Sequence, residues 1–364
     1  MPKVKKESKN KIRVEFDRTP LKERLKAKFL STYFVKKVLW WIIRYVLLIG
    51  VAYIVLFPFF SKISASFMAK VDFTDATVRL IPKHFSLEIY KEIWIEQEYM
   101  RALGNTLLLS LSTALIQTFI CSFVAYGFAK FKFKGNKTLF MLVLLTLIIP
   151  HRTLSGAMKT TFSGFDIFGI FGLLNGGGIS IFGFEYTNDF LASIDIIPDT
   201  WTRFTSGGID LLNSYWPFIL LSLTGLAFKN GLYIFLLRQF FMGVPDELEE
   251  SAYIDGSGVF RTFFTIILPI SIPMMVTVFL FAFSWCWTDD FYTGGTMFFV
   301  DRNESPYLLV DFIDKNTPIT LQDKTFKAQG LYDSVIKNTA GLMVIAPLVI
   351  LYLFCQKFLV QGIE

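Results

Sequence analysis

Apolar residues gather into six long stretches, at about residues 38–60, 105–129, 138–150, 216–237, 264–287 and 340–358. A helix needs roughly 20 mainly apolar residues to cross a bilayer. The pattern therefore predicts an all-α integral membrane protein with six transmembrane helices. Pro269 and Pro273 fall inside the fifth stretch. Proline in a spanning helix is tolerated where neighbouring helices satisfy the freed carbonyls, so a kink packed inside a bundle is expected there. Trp285 and Trp287 lie at its outer end, as an aromatic belt would.

The polar intervals differ among themselves. Residues 1–36 form a basic extension. Within it Leu21, Leu25 and Phe29 recur every fourth residue after Thr19-Pro20, while Lys22, Arg24, Lys26 and Lys28 occupy much of the rest. That pattern suits a helix lying on the inner membrane surface; residues 1–18 fit a disordered basic tail about as well. Residues 61–103 carry mixed charge. From 156 to 212 the composition turns to Gly, Ser, Thr and Asp, and this predicts a folded insertion, residues 159–208, between the third and fourth spans. Residues 168–182 are apolar and Gly-rich within it, fitting a packed loop or interfacial turn better than a span. A second acidic segment, 289–337, precedes the sixth span.

Charge sets the orientation. With 53% hydrophobic residues and a formal charge of +6, the basic excess is collected at the N-terminus and in the 130–137 loop. Basic loops beside spans are expected to face the cytoplasm. Six spans then place the 130–137 loop, residues 243–264 and both termini inside, and the acidic 159–208 insertion outside. The same distribution argues against nucleic acid as a partner. No apolar h-region precedes residue 36, so the first span is expected to serve as the targeting signal of a multi-pass cell (plasma) membrane protein. Residues 37–364 form the transmembrane domain. Cys121, Cys286 and Cys355 fall in or beside spans and read as small buried hydrophobes.

One inner segment breaks the basic rule. Residues 245–256 hold Asp246, Glu247, Glu249, Glu250 and Asp255. Pro245 can take a first helical position, where its missing N–H costs nothing, and the carboxylates that follow suit the positive end of the helix dipole. Leu248, Ser251 and Ala252 share one face at helical spacing. Gly256 allows a stop and turn, and Ser257 can cap a following helix. Helix, sharp turn and helix are expected. An acidic loop gains little from an inner membrane face, so it should meet a protein partner.

This stretch resembles the EAA loop of permease subunits in binding-protein-dependent ABC importers. Glu250-Ser251-Ala252, Gly256, Ile266 and Leu268-Pro269 fall at the family spacing, with Ser251 as a small-for-small departure. Beyond the loop, the chain from about residue 57 is similar to the carbohydrate-uptake, maltose-permease-like branch. The landmarks include Phe57-Pro58, Asn105-Thr106, Ala125-Tyr126, Phe133-Lys134-Gly135, Leu211-Leu212-Asn213-Ser214, Trp287-Thr288-Asp289 and Gly362-Ile363-Glu364. Three departures stand out: the long N-terminal extension, the insertion, and an end at Glu364 where relatives usually continue.

The resemblance implies the type I ABC importer permease fold and half of a translocation pathway for a carbohydrate, an oligosaccharide first. It implies a heterodimer with a second permease subunit, two cytoplasmic ATP-binding subunits and an extracellular sugar-binding protein. It makes the segment 243–264 an ATPase-coupling loop, with Glu247, Glu250, Ser251, Ala252, Asp255, Gly256, Phe263, Leu268 and Pro269 as its site residues. ATPase closure would then move the loop, and a kinked fifth span would carry that movement outward.

Independent chemistry is sparse. No Gly-x-x-x-x-Gly-Lys-Ser/Thr loop is present, so ATP hydrolysis is expected in other subunits and no cofactor is expected here. Gly176-Gly177-Gly178 reads as a flexible turn. His84 and His151 lack metal-ligand spacing. Asp289-Asp290 could line a solute path but fit a solvated pair at the membrane edge better. Phe140, Trp216, Phe218, Phe279 and Phe283 could stack on sugar rings, although packing or lipid contact suits each one better. A stand-alone channel or secondary transporter is the alternative from another class, and a secondary transporter usually places ionisable groups at mid-span for ion coupling. These spans offer Arg44 near one end and Lys229 in the fourth. An importer of the same architecture for a non-sugar solute is the nearer alternative.

Overall fold

The computed structural model describes residues 32–166, 179–181, 184–186, 204–205, 208–294, 297–301, 303–314 and 328–363. The surface helix expected at residues 19–29, Gly176–Gly178 and most of the insertion lie outside the described residues.

The chain divides into two units, residues 1–63 and 64–364. The first unit is described as one helix, α1, which runs Thr32–Ser66. Large apolar side chains such as Trp40, Leu47 and Ile54 are exposed along its length. A helix that is apolar on all sides, with no polar face, suits lipid and not water.

The second unit holds α2 (Glu88–Glu96), α3 (Tyr99–Lys130), α4 (Asn136–Ile148), α5 (His151–Ser163), α6 (Trp216–Leu223) and α7 (Asn230–Gly243). It continues with α8 (Glu247–Ile254), α9 (Val259–Ile270), α10 (Ile272–Trp287), α11 (Asp311–Asp314) and α12 (Gln329–Ile363). The all-α expectation meets a small correction. Two antiparallel pairs, Ile179–Ile181 with Phe184–Tyr186 and Phe204–Thr205 with Gly208–Ile209, lie in or at the edge of the insertion.

Among the described residues α1, α3 and α12 are each long and apolar enough to cross a bilayer. Two bent pairs, α4 with α5 at 99° and α9 with α10 at 79°, raise the number to as many as five. The third predicted span is therefore a 13-residue helix that turns at Pro150 into α5. The kink expected in the fifth falls at Ser271, between the two prolines, and follows a π-helical turn over Phe263–Ile267.

The fourth predicted span, 216–237, is not one helix. It breaks between α6 and α7, where Gly225 (φ 73°) and Lys229 (φ 67°) both take left-handed backbone. The Lys229 ammonium rests 4.6 Å from the Phe228 ring and 5.0 Å from that of Trp285. Such cation–π contact lets a charge sit beside apolar surface at the N-cap of α7.

α3 is the element on which α6, α7 and α10 pack. Its buried Ala114, Cys121, Ser122 and Ala125 are small, which lets neighbouring backbones approach closely. At Gly231 of α7 an added Cβ would lie 2.9 Å from the Val143 carbonyl of α4, so these two helices also meet backbone to backbone. Tyr99 donates to the Met343 carbonyl at 3.1 Å, and Trp287 Nε1 donates to that of Val344 at 2.9 Å, which ties α3 and α10 to α12. Inside a bilayer these bonds face no competition from water.

A second apolar cluster gathers Phe162, Phe218, Tyr292 and Phe298. Asn213 Oδ1 accepts from the N–H groups of Val300 and Asp301 at 2.7 and 2.9 Å, which fixes the segment carrying Phe298. The insertion leaves and returns at one point, where Phe165 and Ile209 exchange N–H···O bonds of 2.9 and 3.0 Å. Asp289 and Asp290 are not the solvated pair expected. Asp290 is exposed, whereas Asp289 is half-buried, lines a cavity with Gln117 and Trp285, and accepts the Tyr292 N–H at 3.0 Å. Burial pushes its carboxyl upward.

Candidate coupling site

The acidic segment folds as helix, turn and helix. α7 stops at Gly243, and Val244 is extended. Pro245 does not take the first helical position: Asp246 stands at the N-cap of α8, Glu247 opens the helix, and both Glu249 N–H and Glu250 N–H donate to the Asp246 carbonyl at 3.0 Å. Glu247, Glu249 and Glu250 occupy the first turn, where the free N–H groups favour negative charge.

The far end closes in a Schellman turn. Ser257 N–H donates to the Ala252 carbonyl at 2.9 Å, and Gly256 N–H to that of Tyr253 at 3.0 Å. Gly256 has φ 80°, a conformation that side-chain-bearing residues rarely take. Ser257 does not cap the next helix: Gly258 holds the N-cap of α9, with no side-chain cap bond.

The predicted site residues separate into two sets. Glu247, Glu250, Ser251, Asp255 and Gly256 are exposed, while Ala252 is buried and faces inward. The shared face expected of Leu248, Ser251 and Ala252 is therefore divided, since the first two are open to solvent. Ser251 Oγ turns back to the Glu247 carbonyl at 2.7 Å. Phe263 is core: its ring centroid lies 4.9 Å from that of Tyr126, within an aromatic joint that includes Phe123 and Phe241. Leu268 packs against the same cluster, and Pro269 is exposed.

Two residues outside the prediction hold α8 in place. Lys130, the last residue of α3, has a side chain only 7% exposed. Its Nζ donates to Asp246 Oδ1 at 2.6 Å and to the Val244 carbonyl at 2.7 Å, and lies 3.2 Å from Glu249 Oε1. Tyr126, one turn earlier on α3, donates to Glu249 Oε2 at 3.0 Å. One buried ammonium thus takes two carboxylates and a carbonyl, and the carboxylate of Glu249 is shared with a phenol. The Lys130 hydrogen bond holds the Asp246 carboxyl below the usual carboxylate range.

A faint sequence signal existed for this anchor. Glu249 lies three residues before the small apolar Ala252, and so shares the inward face of an ideal helix with it. Lys130 carried none, because it looks like any lysine at the end of a span. The exposed tip was equally unmarked: Ile254 is 85% exposed, with Leu248 and Phe260 also open. The outward surface is therefore a ring of carboxylates around apolar side chains. That composition suits contact with a protein carrying basic and apolar groups.

A bundle of apolar, broken and bent helices that ends in a short acidic helix with an exposed outer side defines a membrane-embedded helical protein. No protein-family model matches the chain. The galactooligosaccharides transport system permease protein GanQ of Bacillus subtilis (strain 168) is 28% identical over 323 residues, 88% of this chain and 92% of that protein. The polygalacturonan/rhamnogalacturonan transport system permease protein YtcP, from the same organism, is 25% identical over 322 residues, 87% of this chain and 94% of that protein. A crystal structure of a bacterial ABC transporter that imports the acidic polysaccharide alginate contains a chain of the same fold. The TM-score is 0.61 at 17% identity, covering 89% of this chain and 98% of that one. The chain thus resembles carbohydrate ABC transport permeases over most of its length, well beyond the EAA-like loop.

Proposed function

We propose that this chain is the transmembrane permease subunit of an ATP-driven carbohydrate importer, oligosaccharides being the first class to test. It forms half of the translocation pathway with a second permease subunit, and ATP is hydrolysed by two separate cytoplasmic subunits. An extracellular sugar-binding protein delivers the solute. α8 is the coupling helix and faces the cytoplasm, together with both termini, while the 159–208 insertion faces outward.

The observation that carries this reading is the two-sided build of α8. Its inward side is fixed to α3 through Lys130, Glu249 and Tyr126, and its outward side offers Glu247, Glu250 and Asp255 beside Leu248 and Ile254. A helix that only joined two spans would need neither a buried ion pair nor an apolar tip. An exposed carboxylate pairs well with an arginine fork across a protein contact. A push on α8 reaches α3 directly, and α6, α7 and α10 pack on α3. The relatives support the solute class: the transport systems named for GanQ and YtcP take galactooligosaccharides and polygalacturonan or rhamnogalacturonan.

Gentle isolation of the chain from native membranes tests the assignment. A second permease, an ATPase and a sugar-binding protein should be retained, and that binding protein can be screened for its ligand. Recovery of the chain alone, transporting solute without ATP, would overturn the proposal.

A further inference from the structure

The loop between α3 and α4 divides its cations. Lys130 is used up on α8, as described above. Lys132, Lys134 and Lys137 instead line an open cleft of about 640 Å³, closed on one side by Arg238 of α7. No carboxylate is among the residues lining it. Lys132 is within electrostatic reach of Asp246, but Lys134 and Lys137 form no ion pair among the described residues.

The cleft is built, not merely a spray of surface lysines. Asn136 donates through Nδ2 to the Phe131 carbonyl at 2.9 Å and to that of Phe128 at 3.3 Å, which folds the loop back on the end of α3. The Arg238 guanidinium lies 4.2 Å from the Phe140 ring centroid and donates through Nε to the Phe128 carbonyl at 3.4 Å. That single bond leaves its two terminal nitrogens unengaged among the described residues. The N–H groups of Lys137 and Thr138, in the first turn of α4, also find no protein acceptor there, and no side chain caps the helix. Four cations and two free backbone donors converge in a cleft that no carboxylate lines, and only Lys132 has an acid within electrostatic reach. Such a set selects a phosphate-like anion.

We infer that this cleft binds the headgroup of a negatively charged phospholipid. Location decides in favour of lipid over a soluble anion. α3 is long and apolar enough to cross a bilayer, and the loop lies where it ends. Phe131 and Phe133 stand exposed at the rim and extend the apolar surface up to the cations. Below the cleft, α4 buries none of its side chains, so Leu139, Met141, Leu142 and Leu145 offer an open apolar path for acyl chains. A ligand with an anionic head and two apolar tails satisfies both halves of the surface. Basic pockets beside transmembrane helices are suited to such headgroups. The inference needs α3 and α4 to lie in a bilayer, and it is independent of the transported solute.

The test uses the full chain in mild detergent and native mass spectrometry. Phosphatidylglycerol and phosphatidylcholine with identical acyl chains are offered together, with and without excess glycerol 1-phosphate. Phosphatidylglycerol should be retained selectively and should survive the soluble phosphate. Removing three headgroup lysines (Lys132→Ala, Lys134→Ala and Lys137→Ala together) should weaken its retention roughly a hundredfold. Arg238→Gln, made separately, should weaken it in the same direction. Equal retention of the two lipids, or unchanged retention in both variants, overturns the inference. So does full displacement by glycerol 1-phosphate, which would mark a soluble-anion site. If the triple variant keeps phosphatidylglycerol but sheds an ATPase subunit during isolation, the cleft is a protein contact and the lipid assignment fails.

Discussion

At the scale of single residues, the pivotal group is Lys130. Lys130→Ala leaves the buried Glu249 carboxylate without its cation, and breaking a buried pair in this way costs on the order of 3 kcal/mol. A lower melting temperature of the purified chain is expected, together with loss of ATP-driven uptake, and Lys130→Arg should restore part of both. Unchanged uptake by Lys130→Ala would show that α8 needs no anchor. Gly256→Ala forces a side chain into the left-handed region, at about 1 kcal/mol, and should slow transport. Gly256→Pro should abolish uptake while the protein still reaches the membrane, because proline cannot take φ 80° or donate the N–H that closes the turn. Normal uptake by Gly256→Pro would remove the case for α8 as a coupling helix.

A further residue gives a pH signature. Asp72 is buried, and its carboxyl is held below the usual range first by the His84 backbone N–H and then by the His84 ring at 2.6 Å. A lowered pKa means that the group stabilises the fold above the ordinary carboxylate range. That contribution fades as pH falls through the lowered value. The melting advantage of the wild type over Asp72→Asn should therefore be present near neutral pH and shrink in acid. An advantage that does not change with pH would mean that the pair contributes by shape alone.

At the scale of elements, local chemistry was legible in the sequence and long-range chemistry was not. The α8 helix, its stop at Gly256 and the bend between Pro269 and Pro273 follow from residue type over a few positions, and the structure has all three. The Lys130–Glu249 pair joins residues more than a hundred positions apart, and no local pattern announces it. The break between α6 and α7 failed to register for a different reason. Hydropathy averages over a window, so Gly225 and Lys229 vanish among their apolar neighbours, although both are left-handed in the fold. Residues 165 and 209 carry a prediction of their own. Since hydrogen bonds bring the ends of the insertion together, replacing residues 167–207 by a short Gly-Ser linker should leave a monodisperse protein with nearly unchanged melting. Aggregation of that variant would show that the insertion contributes to folding of the bundle.

At the scale of the whole molecule, membrane sidedness is the largest claim carried by charge alone. Protease added outside intact cells should cut within residues 167–207 and spare α8, whereas inverted vesicles should show the reverse. Cleavage of the insertion only from the cytoplasmic side would invert the topology. Partner identity also belongs here. Glu250→Ala should lower retention of the ATPase on isolation without lowering the melting temperature of the chain, because Glu250 is exposed and has no anchoring contact among the described residues.

Glu249 and Glu250 are sequence neighbours, yet one is locked inside and the other left open. This separates the device that keeps α8 rigid from the surface by which another subunit would recognise it. Recognition can then drift, or be rewritten, through Glu247, Glu250, Ile254 and Asp255 without disturbing the joint beneath. If α8 is the proposed coupling helix, a laboratory graft of those four positions from a relative should transfer ATPase preference while the scaffold stays the same.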